Sequence, residues 1–254
     1  YSGNFRQNYY LYRNHKDIWN PIVWDLNMAF GGFALPGGIS GSLTPITMQT
    51  MAHNLHKSEN GWPLIFKLLN DPFYAKMYYA HMRTINQENF VSGKYKEWAL
   101  KLQNLVEPAV LIDSNFLSTY GNFKVALETN TPGTNGAPTS PGIFPLFYVA
   151  INCPTVNFLK NVLSASPPVL EFVKIPTNIE IGAVVVFKVK ISNGGNAYLG
   201  YRRQNGDRFL REPLFDDGMH GDDLAGDQIF GTSITISDPL IQFYFYAENN
   251  QAGA

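Results

Sequence analysis

The sequence has little that would support a disulfide scaffold, a membrane span or a nucleic-acid surface. It contains one cysteine, Cys153, so no disulfide bond can form within the chain. Its 19 basic and 20 acidic residues give a net charge of −1 without a basic block. This balance gives no electrostatic basis for binding nucleic acid or an anionic membrane surface. No apolar run approaches the roughly 20 residues of a membrane-spanning helix, so we expect no span in this chain.

The chain also lacks an initiating methionine and a signal peptide, because it opens at Tyr1 directly in aromatic-rich sequence. We therefore expect a piece of a longer polypeptide, whose targeting signal lies outside these residues. Apolar residues make up 45% and charged residues 15% of the sequence, which is typical of globular rather than disordered proteins. The length of 254 residues suits one large domain or two smaller ones.

Residues 6 to 33 have the pattern of a β-hairpin. Two segments rich in strand-favouring residues flank a polar turn: "YYLY" (9–12), "RNHKD" (13–17) and "IWNPIVW" (18–24). The second strand runs into a lone carboxylate, Asp25, which is followed by Asn27 and a glycine pair. An apolar strand has no packing need for a charge at its end, so Asp25 is the first candidate for a functional residue.

Two interpretations of Asp25 are open from spacing alone. A carboxylate at a strand end suits Mg²⁺, which takes oxygen ligands and usually shares them with substrate phosphates. Asn27 would point to the same side of an extended chain and would add a second oxygen. The alternative is that Asp25 caps the following turn through its own side chain.

Amphipathic helices are predicted after the hairpin. Pro63 and Pro72 suit the first turns of two of them, where helical N–H groups have no partner in any case. Apolar residues at helical spacing over 95–106 predict a third helix that ends before Pro108. A shorter helix is expected at 156–163.

The composition changes at "SASPPV", and the pattern that follows is that of strands. Apolar residues alternate with lysines over 184–191, and further strands are predicted at 233–236 and 241–247. Short strands with turns between them are typical of a small β-sandwich. We therefore predict an α+β protein of two domains, a mixed part at 1–168 and an all-β part at 169–254.

An aspartate-rich segment, "DDGMHGDDLAGDQIFG" at 216–231, lies within the predicted β domain. Its five aspartates and four glycines suit a loop whose oxygens converge on Ca²⁺, with Asp217, Asp222 and Asp227 as the candidate ligands. The spacing is not that of an EF-hand. The alternative is a pair of tight turns in which aspartates cap backbone amides and glycines supply positive φ.

The hairpin carries a more specific signal than its strand pattern. The motif "GNFRQNYYLYRN…WNPIVWDLNMAFGGF" resembles the central signature of the spore-coat protein H (CotH) kinase family, which are atypical protein kinases of secreted or surface-associated type. The segments "PLIFKLLNDPFYAKMYYAHM" (63–82) and "LVEPAVLIDSNF" (105–116) are similar to the helical part of the family's C-lobe. The resemblance covers roughly residues 1 to 165.

The resemblance implies a fold and a cofactor. The first domain would be the C-lobe of an atypical protein-kinase-like fold, built from a β-hairpin plus helices, and an immunoglobulin-like sandwich would follow it. Asp25 would hold Mg²⁺ or Mn²⁺ on the phosphates of ATP, the role of the DFG aspartate in ordinary kinases. Asn8 is the candidate for the second metal ligand, with Asn27 in support and Asn4 as a rival. The alternative for Asn8 is an amide that satisfies the hairpin backbone.

The sequence also departs from the family pattern. The resemblance places the catalytic-base aspartate just before the tyrosine strand, yet no aspartate occurs in residues 1 to 16. The nucleotide lobe, with its lysine and glutamate, would likewise lie upstream. Phosphoryl transfer depends on all these parts together, so we expect these residues not to catalyse alone.

Two functional hypotheses follow, and whether the chain serves an enzyme is open between them. The first is the C-terminal part of a CotH-like kinase that transfers the γ-phosphate of ATP to serine or threonine of a secreted or surface protein. The alternative is a non-catalytic cell-surface scaffold or binding module with a degenerate kinase fold. Both imply an extracellular, periplasmic or cell-surface location.

Overall fold

The computed structural model describes the following parts of the chain: residues 9–24, 52–116, 118–129, 131, 166–174 and 179–254. The predicted helix at 156–163 lies outside the described residues. Helices dominate the described part of the first half of the chain and strands that of the second half. The predicted α+β class is confirmed. No helix in the described ranges is long and apolar enough to cross a membrane.

The chain divides into two compact units, each assembled from separated segments. The first unit comprises three segments, Tyr1–Tyr10, Val23–Asp71 and Met82–Asn161. The second comprises Leu11–Ile22, Pro72–His81 and Val162–Ala254. The second unit therefore contains the hairpin tip and part of a helix together with the β region. The predicted division at residues 168 and 169 stays a prediction.

The predicted hairpin is confirmed. Strands β1 (Tyr9–Arg13) and β2 (Trp19–Val23) form a two-stranded sheet. Asn14 closes the turn between them, because its Oδ1 accepts from the amides of Lys16 at 2.9 Å and Ile18 at 3.0 Å. An asparagine that bonds to amides two and four residues on holds a tight turn without help from the strands.

Among the described residues, four α-helices and one π-helical segment follow the hairpin. Their bounds are α1 (Pro63–Asn70), α2 (Pro72–Ile85), the π-helix (Asn86–Val91), α3 (Lys94–Ile112) and α4 (Tyr120–Val125). Pro63 and Pro72 are the first residues of their helices, which confirms the prediction of both starts. Gly93 precedes α3 with φ of +78°, a conformation that glycine adopts without steric cost.

The predicted end of the third helix is wrong. Helix α3 continues through Pro108 to Ile112 instead of stopping before the proline. A proline removes only one hydrogen bond, the one that its own nitrogen would donate to the carbonyl of Asn104. The residues after it can still donate to later carbonyls, so the helix resumes for one more turn. The prediction assumed that the loss of this one hydrogen bond at Pro108 would end the helix.

The described residues of the β region form two antiparallel three-stranded sheets. Its strands are β3 (Val169–Lys174), β4 (Val184–Ser192), β5 (Asn196–Arg202), β6 (Leu210–Pro213), β7 (Ile229–Thr235) and β8 (Gln242–Glu248). One sheet has the order β3-β4-β7 and the other β6-β5-β8. The strands predicted at 184–191, 233–236 and 241–247 correspond to β4, β7 and β8.

The core of the β region lies between the two sheets. Phe187, Val189 and Ile191 of β4 are buried, as the alternation with lysines predicts. They belong to one apolar cluster with Leu199 of β5 and Ala247 of β8, both of which are fully buried. Each sheet therefore buries its apolar side chains against the other.

Strands β3, β5 and β6 were not predicted, and Gly200 illustrates why for β5. A glycine within an apolar segment weakens the strand signal. In the structure a Cβ at Gly200 would lie 2.3 Å from the ring of Tyr244 on β8, so the missing side chain makes room for that ring. Glycine is favourable at position 200 because of Tyr244, which lies 44 positions later in the chain. The residues of β5 alone contain no information on that contact.

Truncation of the core should show how much the sheet-to-sheet contact stabilises the β region. We expect Phe187→Ala to lower the free energy of unfolding by about 3–5 kcal/mol, because a buried aromatic leaves a cavity. Val184→Ala, at an exposed position of the same strand, should change it by no more than about 0.5 kcal/mol. Urea unfolding followed by fluorescence measures both. Equal effects would contradict a core between the sheets.

Candidate functional site

The predicted magnesium ligands, Asn8, Asp25 and Asn27, lie outside the described residues. Their mutual geometry therefore stays a prediction. The structure does describe the strand that leads to Asp25, since β2 ends at Val23 and is followed by Trp24. The ring of Trp24 lies 5.3 Å from that of Tyr10 on β1. The residue immediately before Asp25 is thus packed onto the neighbouring strand.

The hairpin presents an unusually apolar surface. Seven of its large apolar side chains are half or more exposed: Tyr10, Leu11, Tyr12, Trp19, Ile22, Val23 and Trp24. Successive residues of a strand point to opposite faces, so these exposed side chains are divided between the two faces of the hairpin. The strand pattern predicted the hairpin but not this exposure.

The aspartate-rich loop connects β6 to β7, and Asp222 is its buried centre. Asp222 is only 3% exposed. Its Oδ2 accepts from the amide of Gly218 at 2.5 Å and its Oδ1 from the amide of His220 at 3.0 Å. A buried carboxylate that accepts two amide hydrogen bonds stabilises a turn without an ion.

The other aspartates of the loop also accept from nearby groups. Asp216 accepts from the amides of Gly226 at 2.7 Å and Gln228 at 3.1 Å. Asp227 accepts from the amide of Ile229 at 2.8 Å. These bonds close one turn after another, so the loop is held from its first aspartate to its last.

Asp217 is paired with His220 at the surface of the loop. Its carboxylate lies 2.9 Å from the Nδ1 of His220 and accepts from the amide of Met219, also at 2.9 Å. The imidazole stacks on the ring of Phe215 with centroids 4.2 Å apart. The bond from His220 lowers the pKa of Asp217. His220 therefore hydrogen-bonds to the carboxylate of Asp217 and covers one face of the Phe215 ring.

The loop packs directly on strand β7 at Gly231. A Cβ at this position would lie 2.6 Å from the amide nitrogen of Asp222 and 2.8 Å from the carbonyl oxygen of His220. Gly231 also exchanges backbone hydrogen bonds with Phe215, where the loop begins. Only a residue without a side chain allows the loop backbone to come this close.

These contacts favour the turn interpretation of the aspartate-rich segment. Among the residues that the structure describes, no group of three or more histidine, cysteine, aspartate or glutamate side chains is arranged to hold a metal ion. The carboxylate oxygens of Asp217, Asp222 and Asp227 face N–H donors of the loop itself. The calcium site at these three residues stays a prediction, and the loop geometry is explained without it.

Removal of the central carboxylate tests the two interpretations against each other. We expect Asp222→Ala to lower the melting temperature clearly more than Asp223→Ala, because Asp223 is exposed and makes only a surface pair with Lys188. Thermal unfolding in excess EGTA and in excess Ca²⁺ completes the test. The turn interpretation predicts no calcium-dependent shift in the wild type. A shift that is lost in Asp222→Ala would instead establish a calcium site.

The pKa values of the loop predict how stability depends on pH. Burial alone would raise the pKa of Asp222, but the amides that donate to it hold the pKa below its ordinary value. A lowered pKa means that the stabilisation is complete above the unfolded-state value of about 3.9 and is lost as the pH falls through the lower, folded-state value. The free energy of unfolding should therefore decline below about pH 4, and less steeply in Asp222→Asn. Parallel pH profiles of the two proteins in urea unfolding would contradict this role of the carboxylate.

Comparison with known proteins adds a family assignment. The model of the family described as CotH kinase protein matches residues 2–131, about half of the chain. No curated protein and no solved structure gives a significant match. The matched region includes the hairpin, Asp25 and the helices α1 to α4. The resemblance of the hairpin motif is thus confirmed, and the chain belongs to the CotH kinase family.

Proposed function

We propose that the chain is the C-terminal part of an atypical protein kinase that transfers the γ-phosphate of ATP to serine or threonine of secreted or surface proteins. The observation that carries the proposal is the family match over residues 2–131, which spans both hairpin strands and Asp25. These 254 residues do not catalyse by themselves, because no aspartate in residues 1 to 16 is available as the catalytic base.

The donor set of the hairpin fits Mg²⁺ or Mn²⁺. Asp25 supplies a carboxylate, and Asn8 and Asn27 supply amide oxygens, which are the hard ligands that these ions take alongside nucleotide phosphates. The ion would neutralise charge on the phosphates of ATP. Asp25 holds the ion, and the two asparagines complete or orient its coordination.

The β region is proposed as an immunoglobulin-like sandwich. Support comes from two antiparallel sheets, of order β3-β4-β7 and β6-β5-β8, that share one apolar core. Sheets packed face to face in this way are typical of immunoglobulin-like domains. Such domains are common in extracellular proteins, which agrees with the proposed extracellular, periplasmic or cell-surface location.

Calorimetry tests the nucleotide-binding part of the proposal. ATP with Mg²⁺ or Mn²⁺ is titrated into the polypeptide extended at its amino end as its gene encodes it. We expect metal-dependent binding that weakens at least about tenfold in Asp25→Ala, since removing even an indirect partner of a metal ligand costs that much. Asp17→Asn is the matched control, because it removes an exposed carboxylate from the same hairpin and keeps a residue that tolerates its φ of +60°.

The outcome separates the kinase from the scaffold. Binding lost in Asp25→Ala and kept in Asp17→Asn supports the kinase proposal and directs a radiolabel search for the phosphate acceptor. Absence of binding in a folded, metal-supplied wild type overturns it. The chain would then be the non-catalytic cell-surface scaffold with a degenerate kinase fold.

A further inference from the structure

The turn between β5 and β6 bonds the tip of the β1–β2 hairpin, and both lie in the second unit. Asn14 Nδ2 donates to the carbonyl oxygen of Gly206 at 3.0 Å. Lys16 Nζ donates to the carboxylate of Asp207 and, at 3.3 Å, to Oε1 of Gln204. We call these contacts the hairpin anchor, since they join the hairpin tip to the sheet β6-β5-β8.

The hydrogen bonds that close this turn use its outer residues and leave the central pair, Asn205 and Gly206, unused. The amide of Asp207 donates to the carbonyl oxygen of Gln204 at 3.1 Å, and the amide of Gln204 donates to the Asp207 carboxylate at 3.2 Å. Asn205 is exposed, and no described group is hydrogen-bonded to its side chain. The main-chain N–H of Gly206 likewise donates to no described acceptor. Both groups are therefore free to react with each other.

An asparagine that precedes a glycine can lose its side-chain amide by reaction with the main chain. The nitrogen of Gly206 forms a bond to Cγ of Asn205, the Cγ–Nδ2 bond breaks, and ammonia leaves with the proton that the glycine nitrogen loses. The product is a cyclic succinimide. Water then adds to one of its two carbonyl carbons, and the bond from that carbon to the Gly206 nitrogen breaks. Addition at Cγ yields aspartate, and addition at the main-chain carbon yields isoaspartate.

Glycine favours this reaction because it has no side chain to shield its nitrogen, and asparagine is a thermolabile residue in proteins. The surroundings of Gly206 allow it as well. A Cβ at this position would have Asn14 Nδ2, at 3.4 Å, as its nearest described neighbour outside the turn. Packing therefore leaves the side chain of Asn205 room to close on the glycine nitrogen.

The sequence contains other Asn–Gly pairs, at 60–61, 135–136 and 193–194. The pair at 135–136 lies outside the described residues. Asn193 is held, because its Nδ2 donates to the carbonyl oxygen of Ser166 at 2.5 Å. The glycine after it is closely packed, since a Cβ at Gly194 would lie 2.6 Å from the side chain of Ile191. We therefore expect Asn193 to react much more slowly than Asn205.

The pair at 60–61 is a reactive reference. Asn60 and Gly61 are exposed, and a Cβ at Gly61 would have no described atom within 4 Å. The pair belongs to the first unit and takes no part in the hairpin anchor. Deamidation of Asn60 therefore makes the same chemical change in the chain without the same contacts.

Isoaspartate at position 205 changes the geometry of the turn. Its main chain runs through the former side-chain carbons, so an extra CH₂ group separates Gln204 from Gly206. The ends of the turn are fixed, because β5 and β6 pair as far as Tyr201 and Leu210. The extra length must be taken up between them, where Gly206 and Asp207 accept from the hairpin. Aspartate at the same position adds a charge but no backbone length.

We propose that Asn205 is a site of spontaneous deamidation, and that isoaspartate at this position releases the hairpin tip from the β region. The reaction needs only water and the chain itself, so the inference goes beyond the proposed function and does not rest on it. The hairpin anchor is then intact in newly made protein and is lost progressively as the protein ages.

Ageing of two matched variants tests the proposal. Asn205→Gln and Asn60→Gln each keep an amide on a longer side chain that disfavours ring closure, so each blocks one of the exposed pairs. These variants and the wild type are incubated at mildly alkaline pH for the time in which a synthetic peptide of residues 200–211 deamidates. Peptide mapping by mass spectrometry locates each exchange of NH₂ for OH, and isoaspartyl methyltransferase labels isoaspartate. We expect reaction at Asn205 in the wild type and in Asn60→Gln, and an intact Asn193 in all three proteins.

Hydrogen exchange of residues 11–22 measures the effect on the hairpin. The fraction of aged Asn60→Gln that carries isoaspartate at position 205 is purified chromatographically with the help of its added negative charge. We expect residues 11–22 to exchange about two- to tenfold faster in this fraction than in the fresh protein, the range for losing one hydrogen bond. Aged Asn205→Gln should exchange like its fresh form. Fresh Asn205→Asp, which adds the charge alone, should stay close to the wild type.

Each outcome is decisive. Faster hairpin exchange in the isoaspartate fraction, with none in aged Asn205→Gln, supports the proposal. An intact Asn205 after the peptide has reacted overturns the deamidation site. Isoaspartate with unchanged hairpin exchange overturns its effect on the hairpin anchor, and equally fast exchange in fresh Asn205→Asp overturns the role of backbone length. No arm of the experiment uses nucleotide, so failure of this inference is distinguishable from failure of the proposed function.

Discussion

The β region depends on one constraint: neither of its sheets can bury its apolar side chains alone. In the described part of the chain each sheet has three strands, and each contributes fully buried residues to the shared core, such as Phe187 on one side and Leu199 on the other. Burial of each large apolar side chain contributes about 1.5–3 kcal/mol relative to exposure. The aspartate-rich loop at 216–231 and the turn at 204–207, between β5 and β6, leave from strands that this core fixes. Their contacts are therefore consequences of the packing between the sheets.

The parts of the structure that the sequence predicted are those with a short-range cause. The hairpin turn is held by hydrogen bonds of Asn14, which lies in the polar segment of the turn itself. Pro63 and Pro72 mark helix starts because the N–H groups of the first helical turn have no partner within the helix. The strand β4 was predictable because its apolar and lysine residues alternate along the chain. In each case the information lies within a few residues of the element.

The parts that the sequence did not predict have a long-range cause. Strand β5 contains Gly200, whose reason is the ring of Tyr244 across the sheet. The buried state of Asp222 depends on Gly231, which allows the loop to come close to β7. Composition alone left calcium and tight turns as alternatives for this loop. The observation that favours the turns is that backbone amides of the loop point toward the carboxylates, and the residue composition contains no information on these directions.

The residues around Asp25 and the contacts of the hairpin tip show the same division. The residue types around Asp25 indicated oxygen ligands for a hard cation, and the hairpin motif identified the family. Neither signal pointed to Lys16 or Asp207, since a lysine in a polar turn and an aspartate in a distant loop are ordinary surface residues. Their relation arises from the fold that brings residues 16 and 207 together.

The hydrogen bond between Asn14 and Gly206 joins residues 192 positions apart. During synthesis the ribosome adds about 5–20 residues per second, so roughly 10–40 seconds pass between the appearance of the hairpin and that of its partner turn. Through that interval the hairpin lacks the contact between Asn14 and Gly206. The order of translation thus makes the hairpin one of the last elements to gain its final contacts, although it is synthesised before the β region.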